Sequence, residues 1–148
     1  MEKENIVSPP AAGKDNTTIN GLPRKVLLNV SNHPVETWSE EQKLAASKYG
    51  DIEDMPFPVV DEEAGTDDIQ ALANEYINRI KAAGDCTNVT IHIMGEQTFL
   101  YSMLYRLQLC GYHCIASTTR RDTEMLPDGS RKVTFRFSRF REYENIVS

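Results

Sequence analysis

The stretch Asn88–Gly111, NVTIHIMGEQTFLYSMLYRLQLCG, decides the fold. Residues 89 to 94 are mostly β-branched or apolar, as expected of a strand that is buried on both faces. Gly95 interrupts this run, and apolar residues then recur at helical spacing up to Gly111, where a helix stop is expected. The stretch is therefore predicted to be a strand, a tight turn and a helix. In an open α/β sheet, ligands bind at such turns, outside the carboxyl ends of the strands.

The totals indicate one globular domain without a membrane span. The chain has 148 residues and a net charge of −6, so general coating of DNA or RNA is not expected. No apolar run approaches the length of a membrane-spanning helix, and the first residues lack the apolar core of a signal peptide. These features predict a cytoplasmic protein.

Further strands and helices alternate along the chain. Residues 25 to 30, KVLLNV, are predicted to form the first strand, and Ser39 to begin a helix with Gln42 in a capping box. Residues 51 to 55 form a weaker second strand, and Thr66 is expected to cap a long amphipathic helix that Gly84 ends. The stretch that decides the fold comes next, and residues 112 to 118 are predicted to be the fourth strand.

The last segment is of a different kind. Residues 127 to 130, PDGS, are a turn signal, and Val133, Phe135 and Phe137 then alternate with polar residues. This period predicts a strand with one wet face, paired antiparallel with an extension of strand four. The whole chain is predicted to be an α/β domain with a Rossmann-like, mostly parallel sheet, flanked by helices and closed by a C-terminal antiparallel β-hairpin.

The domain is predicted to span residues 23 to 143. Residues 1 to 22 are rich in Pro, Ala, Asn and Thr without a period, and they are predicted to be a disordered N-terminal arm. Residues 144 to 148 are a C-terminal tail.

Polar residues follow three of the strands, at ends that can converge on one edge of the sheet. After strand one come Ser31, Asn32 and His33. His33 is a candidate base or donor to an anionic oxygen, or alternatively a turn histidine bonded to backbone. Asn32 suits a ligand contact and an Asx-turn equally well.

The turn after strand three holds Gly95, Glu96, Gln97 and Thr98. A glycine permits close approach of a ligand, and a helix start favours an anion. Two readings stay open, a phosphate contact or a plain turn in which Thr98 caps the helix. Glu96 argues mildly against an anion, because its carboxylate already complements the helix dipole.

Ser117, Thr118, Thr119, Arg120 and Arg121 follow strand four. Hydroxyls beside guanidinium groups suit a phosphate or a nucleobase, whereas the alternative is a charged hairpin with solvated arginines. Residues 118 to 148 hold seven Lys or Arg and five Asp or Glu, a net charge of +2 in an acidic chain. This asymmetry indicates a local anion site.

The remaining chemistry-bearing residues are interpreted as structural. His92 lies in mid-strand and is interpreted as a core histidine, and Cys86, Cys110 and Cys114 as free thiols that pack as small hydrophobes. No Ser-His-Asp order and no metal-ligand spacing stands out, so neither a cofactor nor a metal is predicted.

The SNHP turn, the MGEQT turn, the STTRR strand end and the FRFSRFREY tail together resemble small stand-alone CRISPR-associated proteins of the CARF class. The resemblance covers residues 24 to 143. It implies a Rossmann-like fold, a homodimer, and a cyclic oligoadenylate bound across the dimer axis. Some stand-alone members are ring nucleases, which cleave this messenger without metal by placing a ribose 2′-hydroxyl in line with phosphorus.

The resemblance also implies roles for the three strand ends. Residues near Ser31, Asn32 and His33 would hold adenosine or phosphate, and Gly95, Gln97 and Thr98 phosphate. Arg120 or Arg121 would stabilise the developing negative charge, and His33 would be the acid or base. Apart from the resemblance, the helix of residues 99 to 111 is a candidate dimer face because its apolar positions exceed one core stripe, or alternatively it is buried on both sides.

Three functions therefore remain open. The chain is a metal-independent phosphodiesterase of a cyclic oligonucleotide, a regulator that senses the same ligand without turnover, or an unrelated small Rossmann-like protein that processes nucleotides or sugars.

Overall fold

The computed structural model describes residues 18–19 and 22–147 of the chain. Five strands form one sheet, β1 (Val26–Val30), β2 (Asp51–Asp54), β3 (Val89–Ile93), β4 (His113–Met125) and β5 (Arg131–Glu142). Their order across the sheet is β2-β1-β3-β4-β5. Strands β2, β1, β3 and β4 are parallel to their neighbours, and β4 and β5 pair antiparallel. The predicted α/β class, with a mostly parallel sheet and a C-terminal antiparallel pair, is confirmed.

Three helices connect the parallel strands, α1 (Glu40–Ala46), α2 (Thr66–Ala83) and α3 (Gln97–Leu109). Short 3-10 turns precede and follow α1 at Val35–Thr37 and Ser47–Tyr49. None of the helices in the described part of the chain combines the length and the apolar character that a membrane crossing requires.

The helix starts are partly as predicted. Ser39 caps α1, where its Oγ accepts a hydrogen bond from the backbone N–H of Gln42 at 3.1 Å. Thr66 was the wrong cap for α2, because Gly65 is the N-cap residue and Thr66 is the first helical residue. The Asp68 carboxylate accepts the Gly65 N–H at 2.9 Å, so the third helical residue satisfies the donor that precedes the helix.

Each face of the sheet has its own apolar core. The larger core lies between the sheet and helices α2 and α3, and its fully buried side chains include Ile80, Ile91, Phe99 and Met103. The smaller core lies on the α1 side and consists of Leu27, Trp38, Ala46, Ile115 and Phe140. The sheet is therefore covered on both faces, which is why strands β1 and β3 are apolar almost throughout.

The extension of strand four is long. Strand four was expected over residues 112 to 118, with an extension that pairs antiparallel with the last strand, and β4 runs to Met125 because β5 pairs with it along the whole extension. Residues 119–136, here called the hairpin arm, are mostly exposed. Phe135 is 68% exposed, so the prediction of a single wet face was wrong for the arm.

The chain ends fall partly outside the description. Most of the predicted N-terminal arm, residues 1 to 22, lies outside the described residues, and within it Thr18–Ile19 pair antiparallel with Leu22–Pro23. The C-terminal tail is held at α3, where Gln108 donates to the Glu144 carbonyl at 3.0 Å and accepts the Ile146 N–H at 2.8 Å.

Candidate functional site

A row of polar side chains crosses the carboxyl edge of the sheet on the α1 side. Asn29 is in register with Asp54 on one neighbouring strand and with His92 on the other. His92 is in register with Ile115, and Ser117 is the next residue of β4 on the same face. Asp54, Asn29, His92 and Ser117, from four adjacent strands, are here called the polar row.

Direct hydrogen bonds join all four members of the row. Asn29 Nδ2 donates to Asp54 Oδ1 at 2.8 Å, and Asn29 Oδ1 lies 2.8 Å from His92 Nδ1. His92 Nε2 lies 2.6 Å from Ser117 Oγ. Asn29 and His92 are almost fully buried, so these partners replace the water that both side chains lose on folding.

The neighbours of Asn29 fix the orientation of its amide. Asn29 Nδ2 faces two acceptors, Asp54 Oδ1 and the His33 carbonyl at 2.9 Å, whereas Oδ1 accepts the Ser31 hydroxyl at 2.8 Å. With Oδ1 toward His92, the imidazole donates from Nδ1, and its Nε2 is the unprotonated nitrogen of the neutral ring. The Ser117 hydroxyl therefore donates to His92 Nε2.

His92 is held neutral by its surroundings. Burial, and to a smaller extent the charge of His33, lowers the pKa of His92 from 6.5 to about 4. The rings of Trp38 and Phe140 meet the imidazole edge-to-face, with centroids 5.2 and 5.6 Å away. A neutral, oriented imidazole against a serine hydroxyl is the arrangement of a general base.

The row opens into a small cavity, here called the carboxyl-edge pocket, of about 170 Å³. Its lining residues are His33, Thr37, Trp38, Gln42, His92, Met94 and Ser117. Gln42 Nε2 donates to Ser117 Oγ at 3.0 Å, so the α1 residue expected in a capping box uses its side chain in the pocket instead. Exposed His33 lies at the rim. Two of the predicted strand ends, those of β1 and β4, therefore meet here.

Ser31 and Asn32 have different places. Ser31 is buried, and its hydroxyl donates to Asn29 Oδ1 and accepts the His33 N–H at 3.2 Å, so it shapes the turn. Exposed Asn32 lines an adjoining cavity of about 180 Å³ with Pro34, Asp54 and Phe57. The two cavities lie on either side of the SNHP turn.

The turn after β3 does not line the carboxyl-edge pocket. Gly95 lies against the ring of Phe57, which a Cβ at this position would overlap, so packing accounts for the glycine. Glu96, rather than Thr98, caps α3, because its carboxylate accepts the Thr98 and Phe99 N–H groups at 3.1 and 2.8 Å. These bonds lower the pKa of Glu96. Gln97 and Thr98 line a separate groove of about 610 Å³ between α2 and α3.

The residues after Ser117 leave the pocket along the hairpin arm. Thr118 Oγ1 bonds the Arg139 backbone at the irregularity of the ladder, whereas Thr119 is exposed. Arg121 pairs with Phe135 and lies on the same face of β4 as Ser117, whereas Arg120 pairs with Arg136 on the opposite face. The two arginines therefore lie on opposite faces of the strand although they are adjacent in sequence, and neither lines the carboxyl-edge pocket.

The cysteines lie away from the pocket lining. Cys114 is buried, and burial raises the pKa of its thiol to about 12. Cys86 is exposed, so the prediction that it packs as a small hydrophobe was wrong. Across residues 18–19 and 22–147, no three His, Cys, Asp or Glu side chains gather as metal ligands would.

Sequence reasoning missed Asn29, Gln42 and Trp38, and it interpreted His92 as structural. A signal was present, because strands β1 and β3 each carry one buried polar residue, Asn29 and His92, at the penultimate position of a mostly apolar strand. Buried polar groups need partners, and two of them near the carboxyl ends of strands predict a mutual contact. Their register was needed to establish it.

Comparison with known proteins gives one family match. The model of the Uncharacterized protein MJ1673 family matches residues 25–141, which include all five strands of the sheet up to Arg141 and every member of the polar row. No curated protein and no solved structure matches the chain. The chain belongs to the Uncharacterized protein MJ1673 family.

Proposed function

We propose that the chain binds a cyclic oligoadenylate and cleaves one of its phosphodiester bonds without a metal ion, in CRISPR antiviral signalling. The proposal joins the resemblance to CARF-class Rossmann-like proteins with one observation. Ser117 Oγ lies 2.6 Å from Nε2 of a neutral, buried histidine at the carboxyl edge of the sheet. Such a histidine is unprotonated at neutral pH, so its Nε2 is free to act as the general base that a metal-free reaction requires.

Residues in and near the pocket are assigned the remaining roles of acid, ligand contact and charge stabilisation. His33, exposed at the rim, is the candidate acid that protonates the leaving oxygen. Asn32 and the adjoining cavity offer a place for an adenine or a second phosphate. Arg121 lies on the same face of β4 as Ser117, and in this proposal it meets the negative charge of the transition state.

The proposal includes a homodimer, which the resemblance implies. A cavity of about 170 Å³ is smaller than typical ligand pockets, which enclose roughly 300–1,000 Å³. A cyclic oligonucleotide therefore extends beyond one such pocket. Two copies of the chain, with their carboxyl edges facing across a two-fold axis, would enclose the ring between two pockets.

A second candidate is a sensor that binds the same ligand without turnover. The observation that favours it is the lining of the carboxyl-edge pocket, which, among the described residues, contains no Lys or Arg. A transition state with additional negative charge gains little from such a lining, whereas a bound ring is still held by hydrogen bonds and stacking.

The test uses cyclic tri-, tetra- and hexa-adenylate mixed with the purified chain in the presence of a chelator. Thermal shift reports binding and chromatography reports products. Linear products with the wild type and their loss with His92→Gln support the proposal, whereas His113→Gln, which changes an exposed histidine, serves as the matched control. A thermal shift without product favours the sensor. If neither a thermal shift nor a product is observed, both candidate functions are overturned.

A further inference from the structure

We infer that Ser117 is a nucleophile, activated by His92 and oriented through Asn29, that attacks the phosphorus of the bound phosphodiester. The substrate in this inference rests on the proposed function, whereas the nucleophile rests on the geometry of the polar row. The attacking group is then a protein hydroxyl and not the ribose 2′-hydroxyl that the resemblance implies.

The hydrogen bonds of Ser117 leave its oxygen free to attack. A serine hydroxyl has one donor and two acceptor positions. The donor is used by His92 Nε2 at 2.6 Å and one acceptor position by Gln42 Nε2 at 3.0 Å. In the part of the chain that the structure describes, no other group bonds Ser117 Oγ, and the residue lines the pocket. One lone pair is therefore available to an electrophile in the pocket.

The row behind Ser117 has the parts of a catalytic triad, with an asparagine as its third member. Asn29 accepts from His92 Nδ1 and thereby fixes the tautomer, which is the role of the third member of such a triad. Asp54 and the His33 carbonyl hold Asn29 in turn. Asn29, His92 and Ser117 lie on three different strands, which is why no triad motif is visible in the sequence.

Gln42 supplies a hydrogen-bond donor for the negative charge that develops on the phosphoryl oxygens. Its Nε2 lies within hydrogen-bond distance of Ser117 Oγ, so it also lies near the other oxygens of a phosphorus bonded to Oγ. An amide N–H at this place stabilises the developing negative charge without a cation. The Gln42 amide thereby replaces part of the stabilisation that a Lys or Arg would give, which the described lining of the pocket lacks.

The steps balance without an external oxidant or reductant. Ser117 Oγ forms a bond to phosphorus as its proton passes to His92 Nε2, and the P–O bond to the leaving 5′ oxygen breaks as that oxygen takes a proton from His33. Water then attacks the same phosphorus from the side of the departed oxygen and gives its proton to His33, and the Oγ–P bond breaks as Ser117 takes its proton back from His92. The product is a linear oligonucleotide with a 3′-phosphate, whereas attack by a 2′-hydroxyl gives a 2′,3′-cyclic phosphate.

An alkyl fluorophosphonate tests the nucleophile without the natural substrate. Ser117 Oγ displaces fluoride, which leaves with its bonding electrons, and the hydroxyl proton passes to His92. We expect stoichiometric labelling that peptide mass spectrometry maps to Ser117. Ser117→Ala should abolish the label, and His92→Gln should slow labelling roughly 100-fold because the base is lost. Ser138→Ala, which changes an exposed serine in a neighbouring cavity, should label as the wild type does.

The outcomes separate this inference from the proposed function. Absence of label at Ser117 in folded wild-type protein overturns the nucleophile. Cleavage of cyclic oligoadenylate to 2′,3′-cyclic phosphate, lost when the 2′-hydroxyls are methylated, also overturns it and leaves the proposed function standing. Label at Ser117 with no cleavage of any cyclic oligoadenylate supports the nucleophile and overturns the proposed substrate. Should Ser117→Ala fail to fold, Gln42→Ala, with an expected slowing of roughly 10-fold, provides the second variant.

Discussion

His92 Nε2 lies 2.6 Å from Ser117 Oγ, although the two residues belong to different strands and are 25 positions apart in the chain. The contact exists because β3 and β4 are parallel neighbours with His92 opposite Ile115, which brings the next same-face residue of β4 over the imidazole. A buried base and a hydroxyl meet at the edge of the sheet where ligands bind. The contact between His92 and Ser117 therefore has measurable consequences for stability and for reactivity.

The first prediction concerns acid stability. Because the folded pKa of His92 is about 4 and the ordinary value is 6.5, the unfolded chain binds the proton first as the pH falls. The stabilisation that depends on neutral His92 is therefore complete above about pH 6.5, and about 3 kcal/mol of it is lost as the pH falls toward 4. Urea unfolding across this range should show the decline, and His92→Gln should flatten it. An equally steep decline in His92→Gln would assign the effect to other groups, and His113→Gln is the matched control.

The second prediction concerns the centre of the polar row. Asn29→Ala removes the shared partner of Asp54, Ser31 and His92, and buried polar groups without partners are costly. We expect a loss of about 3 kcal/mol in the free energy of unfolding. Asn32→Ala, which changes the exposed asparagine of the same turn, should cost less than about 0.5 kcal/mol. Similar losses in the two variants would contradict a central role for Asn29.

The third prediction separates packing from ligand contact at the turn after β3. Gly95→Ala places a methyl group against the Phe57 ring, and the overpacking should cost about 2 kcal/mol. Gly65→Ala, where a Cβ meets only Asp68 Oδ2 at 3.9 Å, should cost about 0.5 kcal/mol through its weaker helix cap. Chemical denaturation measures both. A Gly95→Ala chain of unchanged stability that binds cyclic oligoadenylate less tightly would instead make Gly95 a ligand contact.

The fourth prediction concerns the two arginines of the arm. Arg121 shares a face of β4 with Ser117, and Arg120 lies on the opposite face. Arg121→Ala should lower kcat for the cyclic oligoadenylate roughly 100-fold with little change in binding, because the guanidinium acts on the transition state. Arg120→Ala is the matched control and should stay within about threefold. Titration calorimetry and product chromatography measure the two quantities. Equal losses of kcat in both variants would show that the effect does not depend on the face of β4 on which the arginine lies.

Much of the fold was predictable because it depends on local patterns. The period of apolar residues distinguished strands from helices, and Gly84 and Gly111 end α2 and α3 with the positive φ values of 154° and 84° that favour glycine. The alternation of strand and helix then predicted the parallel sheet, and PDGS the closing hairpin. Thr66 was the wrong cap because the choice between Thr66 and Gly65 depended on which residue the Asp68 carboxylate reaches.

The site was predicted only in part. His33 and Ser117 line the pocket as expected, whereas Gln97 and Thr98, in the first turn of α3, line the groove between α2 and α3. An extension of strand four was predicted, but its length was not. Strand pairing with β5 continues along the whole arm, and an alternating pattern does not reveal whether anything covers its apolar face.

The sequence by itself therefore determined the order and kind of the elements, since hydrophobic period, caps and turn residues act within a few positions of one another. The tertiary structure alone decided that Asp54, Asn29, His92 and Ser117 form one row. These residues lie on four strands, and the register between strands is set when the two cores pack on the two faces of the sheet. Chemistry at the carboxyl edge thus depends on a nonlocal alignment that no single segment encodes.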